Sequence, residues 1–252
     1  EGGDFLRYNF AGGLVWRPYA GASITGFGGT TRTYDDETPP SIFPGGDYLP
    51  PQIERGPAIG QSWSDRDSRN TIFGAVTKLP LGPWLVEVGT FHAVRNTPLT
   101  FTDLFAGMRP DGTTPNRVII ADADNRDRML SGELHVTRTF GSNDLAHRIT
   151  VSLRGRHGER RFGGAQRIPL GESSLHFADE RPQPVFAFGP QDQDEVRQAN
   201  LGISYSLTRP EHFSLDIALS AGRYRKTVDF AGASSSATTR DDPITGSVTG
   251  TY

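Results

Sequence analysis

The feature that most constrains this chain is strict two-residue alternation of apolar and polar side chains, repeated in segment after segment. A strand whose two faces meet different surroundings shows this period, and a helix does not. In 148–158, Ile149, Val151, Leu153 and Gly155 point one way, and Arg148, Thr150, Ser152, Arg154 and Arg156 point the other. Residues 199–208 repeat the pattern, with Ala199, Leu201, Ile203, Tyr205 and Leu207 opposed by Asn200, Ser204, Ser206 and Thr208. Phe213, Leu215, Ile217 and Leu219 then oppose Ser214, Asp216 and Ser220. The first segment sets Leu6, Tyr8, Phe10, Leu14 and Trp16 against Arg7, Asn9 and Arg17. Residues 130–140 set Leu130, Leu134, Val136 and Phe140 against Ser131, Glu133, His135 and Thr137. In 84–95 the alternation of Trp84, Val86, Val88 and Val94 is interrupted on the polar side by Leu85 and Phe91. Segments 22–34 and 68–80 read as strands whose faces are not assigned, and 243–252 reads as a further strand.

A soluble sandwich also alternates, so the connections must discriminate. They alternate along the chain between short (17–21, 80–83, 141–146, 209–212) and long (35–67, 97–126, 161–193, 229–242), the long ones mostly about thirty residues. Loops of that length are uncommon in compact domains. Tight turns at one end and long loops at the other are the layout of an outer-membrane barrel, with the short turns in the periplasm. Trp16, Trp84, Phe140 and Phe213 each fall within a residue or two of a short turn on the apolar side. Rings at that height suit a headgroup-level girdle; the alternative is that they plug the end of a sandwich core.

Composition excludes several other classes. Only 35% of residues are hydrophobic, with 30 Gly and 18 Pro, which suits many strands and loops better than packed helices. The 15 Phe, 7 Tyr and 3 Trp supply too much aromatic surface for a disordered chain. With no cysteine there is no disulfide, thiolate metal site or cysteine nucleophile. A net charge of -3 leaves no footprint for nucleic acid. No stretch approaches the ~20 apolar residues of a transmembrane helix. The expected fold is therefore all-β, an antiparallel transmembrane β-barrel in the outer membrane of a Gram-negative bacterium. Because short turns lie in the periplasm, the first strand enters from outside. Residues 1–252 are thus expected to be eight or nine strands excerpted from one larger barrel domain.

The strand–turn–strand units resemble the barrel domain of TonB-dependent receptors. Leu14-Val15-Trp16-Arg17-Pro18 followed by Ala22-Ser23-Ile24-Thr25 is similar to that family's hairpins. So is Leu201-Gly202-Ile203-Ser204-Tyr205-Ser206-Leu207-Thr208-Arg209-Pro210 followed by Phe213-Ser214-Leu215-Asp216. The resemblance implies a full barrel of about 22 strands filled by a plug, which this sequence does not contain. It implies import of a scarce ligand, a ferric siderophore or similar, with energy from the TonB complex reached through segments absent here. Membrane lipid is the other implied partner, and no cofactor is implied.

Arg154 and Arg156 point inward on one strand, and Arg160 and Arg161 continue it toward the outside. A guanidinium binds carboxylate or phosphate through two parallel bonds, so these four are candidates for an anionic ferric chelate. The competing reading pairs them with plug or wall acids such as Glu133 and Asp216, and the resemblance favours that pairing. Tyr48 and Trp63, with Phe101, Phe105, Phe162, Phe177, Phe186 and Phe188, lie in the long connections. There they either cap an apolar ligand or pack the loops against one another.

Two acidic clusters, Asp122, Asp124 and Asp127, and Asp192, Asp194 and Glu195, invite a metal reading, but the first puts Arg126 at the fifth position of a calcium loop and has no glycine at its turn. They read as solvated loop tips. The six histidines show no pair at ligand spacing, so no metal site is expected. Gly26-Phe27-Gly28-Gly29 sits inside a strand with no helix after it, so it marks a bulge or close packing rather than a phosphate loop. No nucleophile elbow or zinc-protease motif is present, and His157 or His176 with Asp179 has no spacing that supports a catalytic dyad. The chain is expected not to be an enzyme. The alternative function is a passive porin-type channel or a structural barrel.

Overall fold

A computed structural model describes residues 5–52, 59–142, 144–177 and 179–252. The turn residue Asn143 therefore lies outside the described part. Among the described residues there are twelve strands and no helix long and apolar enough to cross a membrane. They are β1 (Leu6–Trp16), β2 (Ser23–Glu37), β3 (Ser41–Pro44), β4 (Asp65–Leu81), β5 (Trp84–Met108) and β6 (Thr113–Gly141). The second half adds β7 (Ala146–Phe162), β8 (Gln166–Ser174), β9 (Asp192–Arg209), β10 (Phe213–Asp229), β11 (Ala237–Asp241) and β12 (Ile244–Thr251).

One sheet contains them all, in the order β1-β2-β4-β5-β6-β7-β9-β10-β11, with β12 continuing β11 along the same edge of β10. The nine strands of this path are antiparallel and keep their order in the chain, with β3 and β8 set aside from it. The sheet is not closed: β1 and the β11–β12 edge are its ends. It is curled, because residues of β1 and β9 line one cavity.

Register fixes the faces that composition left open. Trp16 pairs with Ile24, Ile24 with Thr77, Thr77 with Val88 and Val88 with Leu134. The row continues through Leu153, Leu201, Ala221 and Ile244. Directly paired residues share a face, so these side chains lie together on the convex side. Phe27 and Phe91 then lie on the concave side, their rings 5.7 Å apart. Gly74 makes room for them: a Cβ there would lie 2.9 Å from Phe27 Cζ and collide with the carbonyl of Thr90. The interruption of the polar face by Phe91 is thus concave-side packing over a glycine.

The convex face is apolar and uncovered, with Phe10 77%, Leu14 75% and Leu201 57% exposed. A continuous apolar face of this kind is unfavourable in water. Moving up from the short turns, it ends in arginine: Arg32 on β2, Arg69 on β4, Arg128 and Arg126 on β6, Arg197 on β9, and Arg223 and Arg225 on β10.

The long connections differ from expectation. Residues 97–126 are not a loop: β5 and β6 run on as one hairpin of 25- and 29-residue strands, far beyond the roughly 10 residues that cross a bilayer. The hairpin turns only at 109–112, where the Gly112 amide donates to Arg109 O. Polar composition concealed this extension, since strands in water need no apolar outer face. Asp122 and Asp127 accordingly sit in the ladder rather than at a tip. Asp124 takes a left-handed φ of 52° where the ladder passes Pro98, which has no N–H to donate. Above Asn96 the free edge of β5 takes β3 in parallel, and above Arg126 the edge of β6 takes β8. A second sheet level, β3-β5-β6-β8, results, and the buried apolar core lies there.

Candidate functional site

The concave face holds a cavity of about 650 Å³. Asn9 from β1, Thr31 from β2, Asn70 from β4, Arg95 from β5, Asp127 from β6, Arg156 and Arg160 from β7 and Asp194 from β9 line it. Both acids are engaged: Asp127 lies 3.4 Å from Arg160, and Asp194 lies 3.4 Å from Lys226. Among the described residues, Arg95 and Arg156 have no carboxylate within 4.0 Å. The rest of the lining is mainly apolar, with Ile72, Ala93, Met129 and Val196, so the cavity sets two guanidinium groups without an acid partner beside an apolar floor, which suits a ligand carrying both apolar surface and anionic oxygens.

The four candidate arginines separate. Arg154, Arg156 and Arg160 share the concave side of β7, whose pairing with β6 is continuous from Ala146 to Arg161. Arg161 has odd parity and lies on the convex side. Arg154 donates to Glu133 Oε2 at 3.2 Å, the wall pairing that the family resemblance favours. Asp216 instead accepts from Ser206. Arg156 also borders a smaller cavity of about 280 Å³ with Arg154, Gln198 and Asn200.

Tyr48 and Trp63 lie apart from these arginines, in the cap above. The Tyr48 hydroxyl donates to Met108 O at 2.7 Å. Trp63 packs edge-on to Phe101 at 5.6 Å and near Phe186 at 6.2 Å, and its Nε1–H donates to Arg181 O. Phe186 in turn stacks on Phe188 at 5.9 Å. Tyr48, Trp63, Phe101, Phe186 and Phe188 thus pack the long connections against one another.

The cap's centre escaped sequence reasoning. Arg117 on β6 and Asp103 on β5 are both fully buried, with Nη2 at 2.6 Å from Oδ2 and Nε at 3.1 Å from Oδ1. The same guanidinium donates to Ile59 O at 2.9 Å, to Asp179 O at 3.1 Å and toward Ser173 Oγ at 3.5 Å. It also lies 4.6 Å over the Phe105 ring. One side chain thus joins β5, β6, β8 and two connections. Beside it, Gln61 bridges Asp179 O and the Arg181 amide, and Glu180 accepts from Ser62. Hydrogen bonds from Arg181 hold the Asp179 carboxyl below the ordinary carboxylate range. Burial pushes Asp122 the other way. Nothing local in the sequence marks Arg117 and Asp103, because they meet only if 97–126 is a hairpin.

Trp16, Trp84, Phe140 and Phe213 all lie on the convex face beside the short turns, and all four are exposed. Phe140 stacks on His147 at 5.1 Å, and His147 Nδ1 lies 2.8 Å from the Tyr205 hydroxyl. On the same face, further up, His157, Glu159 and Glu195 bring ligand atoms within 4.8 Å of one another. Residues two apart on one strand and a cross-strand partner make that group, which chain spacing alone does not reveal. Arg197 donates to Glu195 at 2.5 Å and His157 lies 3.2 Å from Glu159, so it reads as an ion-pair cluster.

No protein-family model and no curated protein sequence matches the chain. Solved structures do match it in fold. The ferric preacinetobactin receptor BauA of Acinetobacter baumannii superposes with a TM-score of 0.75 at 11% identity, over 97% of this chain and 37% of that one. The ferripyoverdine receptor of Pseudomonas aeruginosa gives 0.75 at 12% identity, over 98% and 33%. The ferric-catecholate import receptor Fiu of Escherichia coli K12 gives 0.69 at 12% identity, over 98% and 40%. The chain spans about a third to two-fifths of the length of these structures. The chain shares the antiparallel β-barrel wall fold of part of these structures.

Proposed function

We propose that this chain forms part of the wall of a Gram-negative outer-membrane receptor, within a single barrel domain, that imports a scarce anionic ligand such as a ferric siderophore with TonB-coupled energy. The observation that carries the proposal is the concave cavity with Arg95 and Arg156 uncompensated, set in a sheet whose fold neighbours are ferric-siderophore receptors. A siderophore complex carrying carboxylate, hydroxamate or catecholate oxygens offers the acceptors that such groups bind. The convex apolar face, flanked by exposed aromatic rings beside the short turns, suits insertion in lipid. The fold neighbours are receptors for ferric ligands, which supports transport rather than catalysis.

The test is uptake of radio-iron by cells expressing the complete polypeptide, offered a panel of hydroxamate and catecholate ferric chelates. Uptake of at least one chelate is expected, abolished by a proton-motive-force uncoupler and reduced by Arg95→Ala with Arg156→Ala. Uptake that survives the uncoupler and rises linearly with concentration would replace this reading with the porin-type channel. No uptake of any chelate would remove the siderophore assignment.

A further inference from the structure

The concave cavity has an apolar half that its arginines do not explain. One register row crosses it from strand to strand: Ala11 pairs with Gly29, Gly29 with Ile72, Ile72 with Ala93, and Ala93 with Met129. Gly158 and Val196 continue the row on β7 and β9. Directly paired residues share a face, so all of these lie on the concave side. At ~4.8 Å between strands, the row is roughly 29 Å long. Its neighbours are different in character. Asn70, Arg95 and Asp127 lie in the concave row above, and Ser131, Arg156 and Gln198 in the concave row below.

The row is uncovered, with Ile72 46% and Met129 38% exposed. Met129 leans over Gly158, where an added Cβ would lie 3.2 Å from its Cε, and an unbranched thioether adapts readily to an occupant. An exposed apolar patch rimmed by polar groups marks a ligand groove. The charge of this rim is uneven. Asp127 is engaged by Arg160, and Asp194 by Lys226 at the β9 end of the row. Arg95 stands one concave position above Ala93 and Arg156 one below Gly158, and among the described residues neither has an acid within 4.0 Å. A wholly apolar occupant would strand both cations, and a wholly polar one would leave the row wet. A groove one residue wide and several strands long fits an extended chain better than a ring system. The occupant that meets all three conditions is an anionic headgroup carrying one flexible apolar chain.

We propose that the cavity takes an acylated anionic ligand, a ferric chelate whose oxygens meet Arg95 and Arg156 while one acyl chain lies along the row from Gly29 to Val196. This assignment rests on the import reading above, to which it adds the apolar half of the ligand. Binding is measured at equilibrium on de-energised outer-membrane fragments that carry the complete polypeptide, and binding to fragments without it is subtracted. The probes are radio-iron chelates, each with one free carboxylate, identical except for an N-acyl chain of two, six or ten carbons. Iron-free N-acyl aspartates of the same chain lengths form a second series.

Each fully buried methylene is worth up to about fourfold in affinity, so the ten-carbon probe is expected to bind at least roughly tenfold more tightly than the two-carbon probe in both series. Met129→Gln with Val196→Thr, which keeps the shape and adds polarity, should collapse that ratio. Ala93→Phe, which fills the groove instead, should do the same. Arg95→Gln with Arg156→Gln should weaken binding at every chain length and keep the ratio. Equal affinity at all chain lengths would overturn the proposal and leave the row as a packing surface of the barrel interior. A ratio that survives both groove variants would also overturn it, since the chain would then lie elsewhere. Long-chain aspartates that bind where no chelate does would keep the acyl groove and remove the siderophore reading. Failure of both series would remove both.

Discussion

Replacing Arg117 with methionine should open the cap and leave the barrel wall intact. The substitution keeps most of the buried volume but removes every donor that the guanidinium supplies. Asp103, which is 0% exposed, keeps its charge without a partner, and the carbonyls of Ile59 and Asp179 lose theirs. Removing one partner of a buried ion pair costs about 3–5 kcal/mol. At about 1.4 kcal/mol per tenfold change, the cap would open roughly a hundred to several thousand times more often. Native-state hydrogen exchange measures this where reclosing is fast relative to intrinsic exchange. The reporter amides are Arg181, bonded to Gln61 Oε1, and Leu175, bonded to Gly112 O. Amides of the wall, such as Leu134 in the β5–β6 ladder, should keep their protection. A second substitution, Asp103→Leu, removes the orphan charge, so the double variant should recover part of the loss and stay short of the original by the two stranded carbonyls, each about 1–3 kcal/mol. Less than tenfold acceleration at Arg181 and Leu175 would refute the view that Arg117 is the cap's joint. Equal acceleration at Leu134 would show that cap and wall open as one unit.

Arginine at Leu153 or Ile217, on the apolar convex face, should destabilise the folded barrel by ~2–4 kcal/mol, read as loss of the heat-modifiable band. At concave-side Ser206, which bonds Asp216, arginine should cost far less, and equal losses would reverse the faces. Cysteine at Val185, which is 93% exposed, should react with an impermeant thiol reagent on intact cells. Cysteine at Pro83 in a short turn should react only after the outer membrane is disrupted. Hydrogen bonds from Arg181 hold the Asp179 carboxyl below the ordinary carboxylate range, so its contribution to the cap is fully present above that range and is lost as pH falls through the lower, folded value. Protease sensitivity of the cap should thus stay flat from neutral pH down to about 4.5 and rise only at more acidic pH; a rise beginning near pH 6 would implicate a different group.

Wall and cap were unequally legible in the sequence, for a physical reason. In the wall, one face meets apolar surroundings and the other a polar interior, so every second residue is forced to change character. Ile149, Val151 and Leu153 declare their side without help from distant residues. Above the apolar border that contrast disappears. Thr113, Asn116 and Asp122 are as compatible with an extended hairpin as with a loop, and only pairing with β5 and β8 decides between them. Arg117 and Asp103 are fourteen residues apart in a hairpin that composition reads as a loop. The Ile59 and Asp179 carbonyls that complete the site come from still further along the chain.

The arginines show how far parity alone carries and where it stops. Arg154, Arg156 and Arg160 fall on the concave side because strand β7 runs without a bulge from Ala146 to Phe162. One step along the same strand, Arg161 crosses to the convex side. A single-residue difference thus separates a guanidinium beside the cavity from one on the outer surface. Which concave arginine is free to meet a ligand is settled across strands: Glu133 on β6 occupies Arg154 and Asp127 occupies Arg160, leaving Arg156 with Arg95. Alternation assigns the face, register assigns the neighbour, and the neighbour decides whether a charge is spent within the wall or left for a partner.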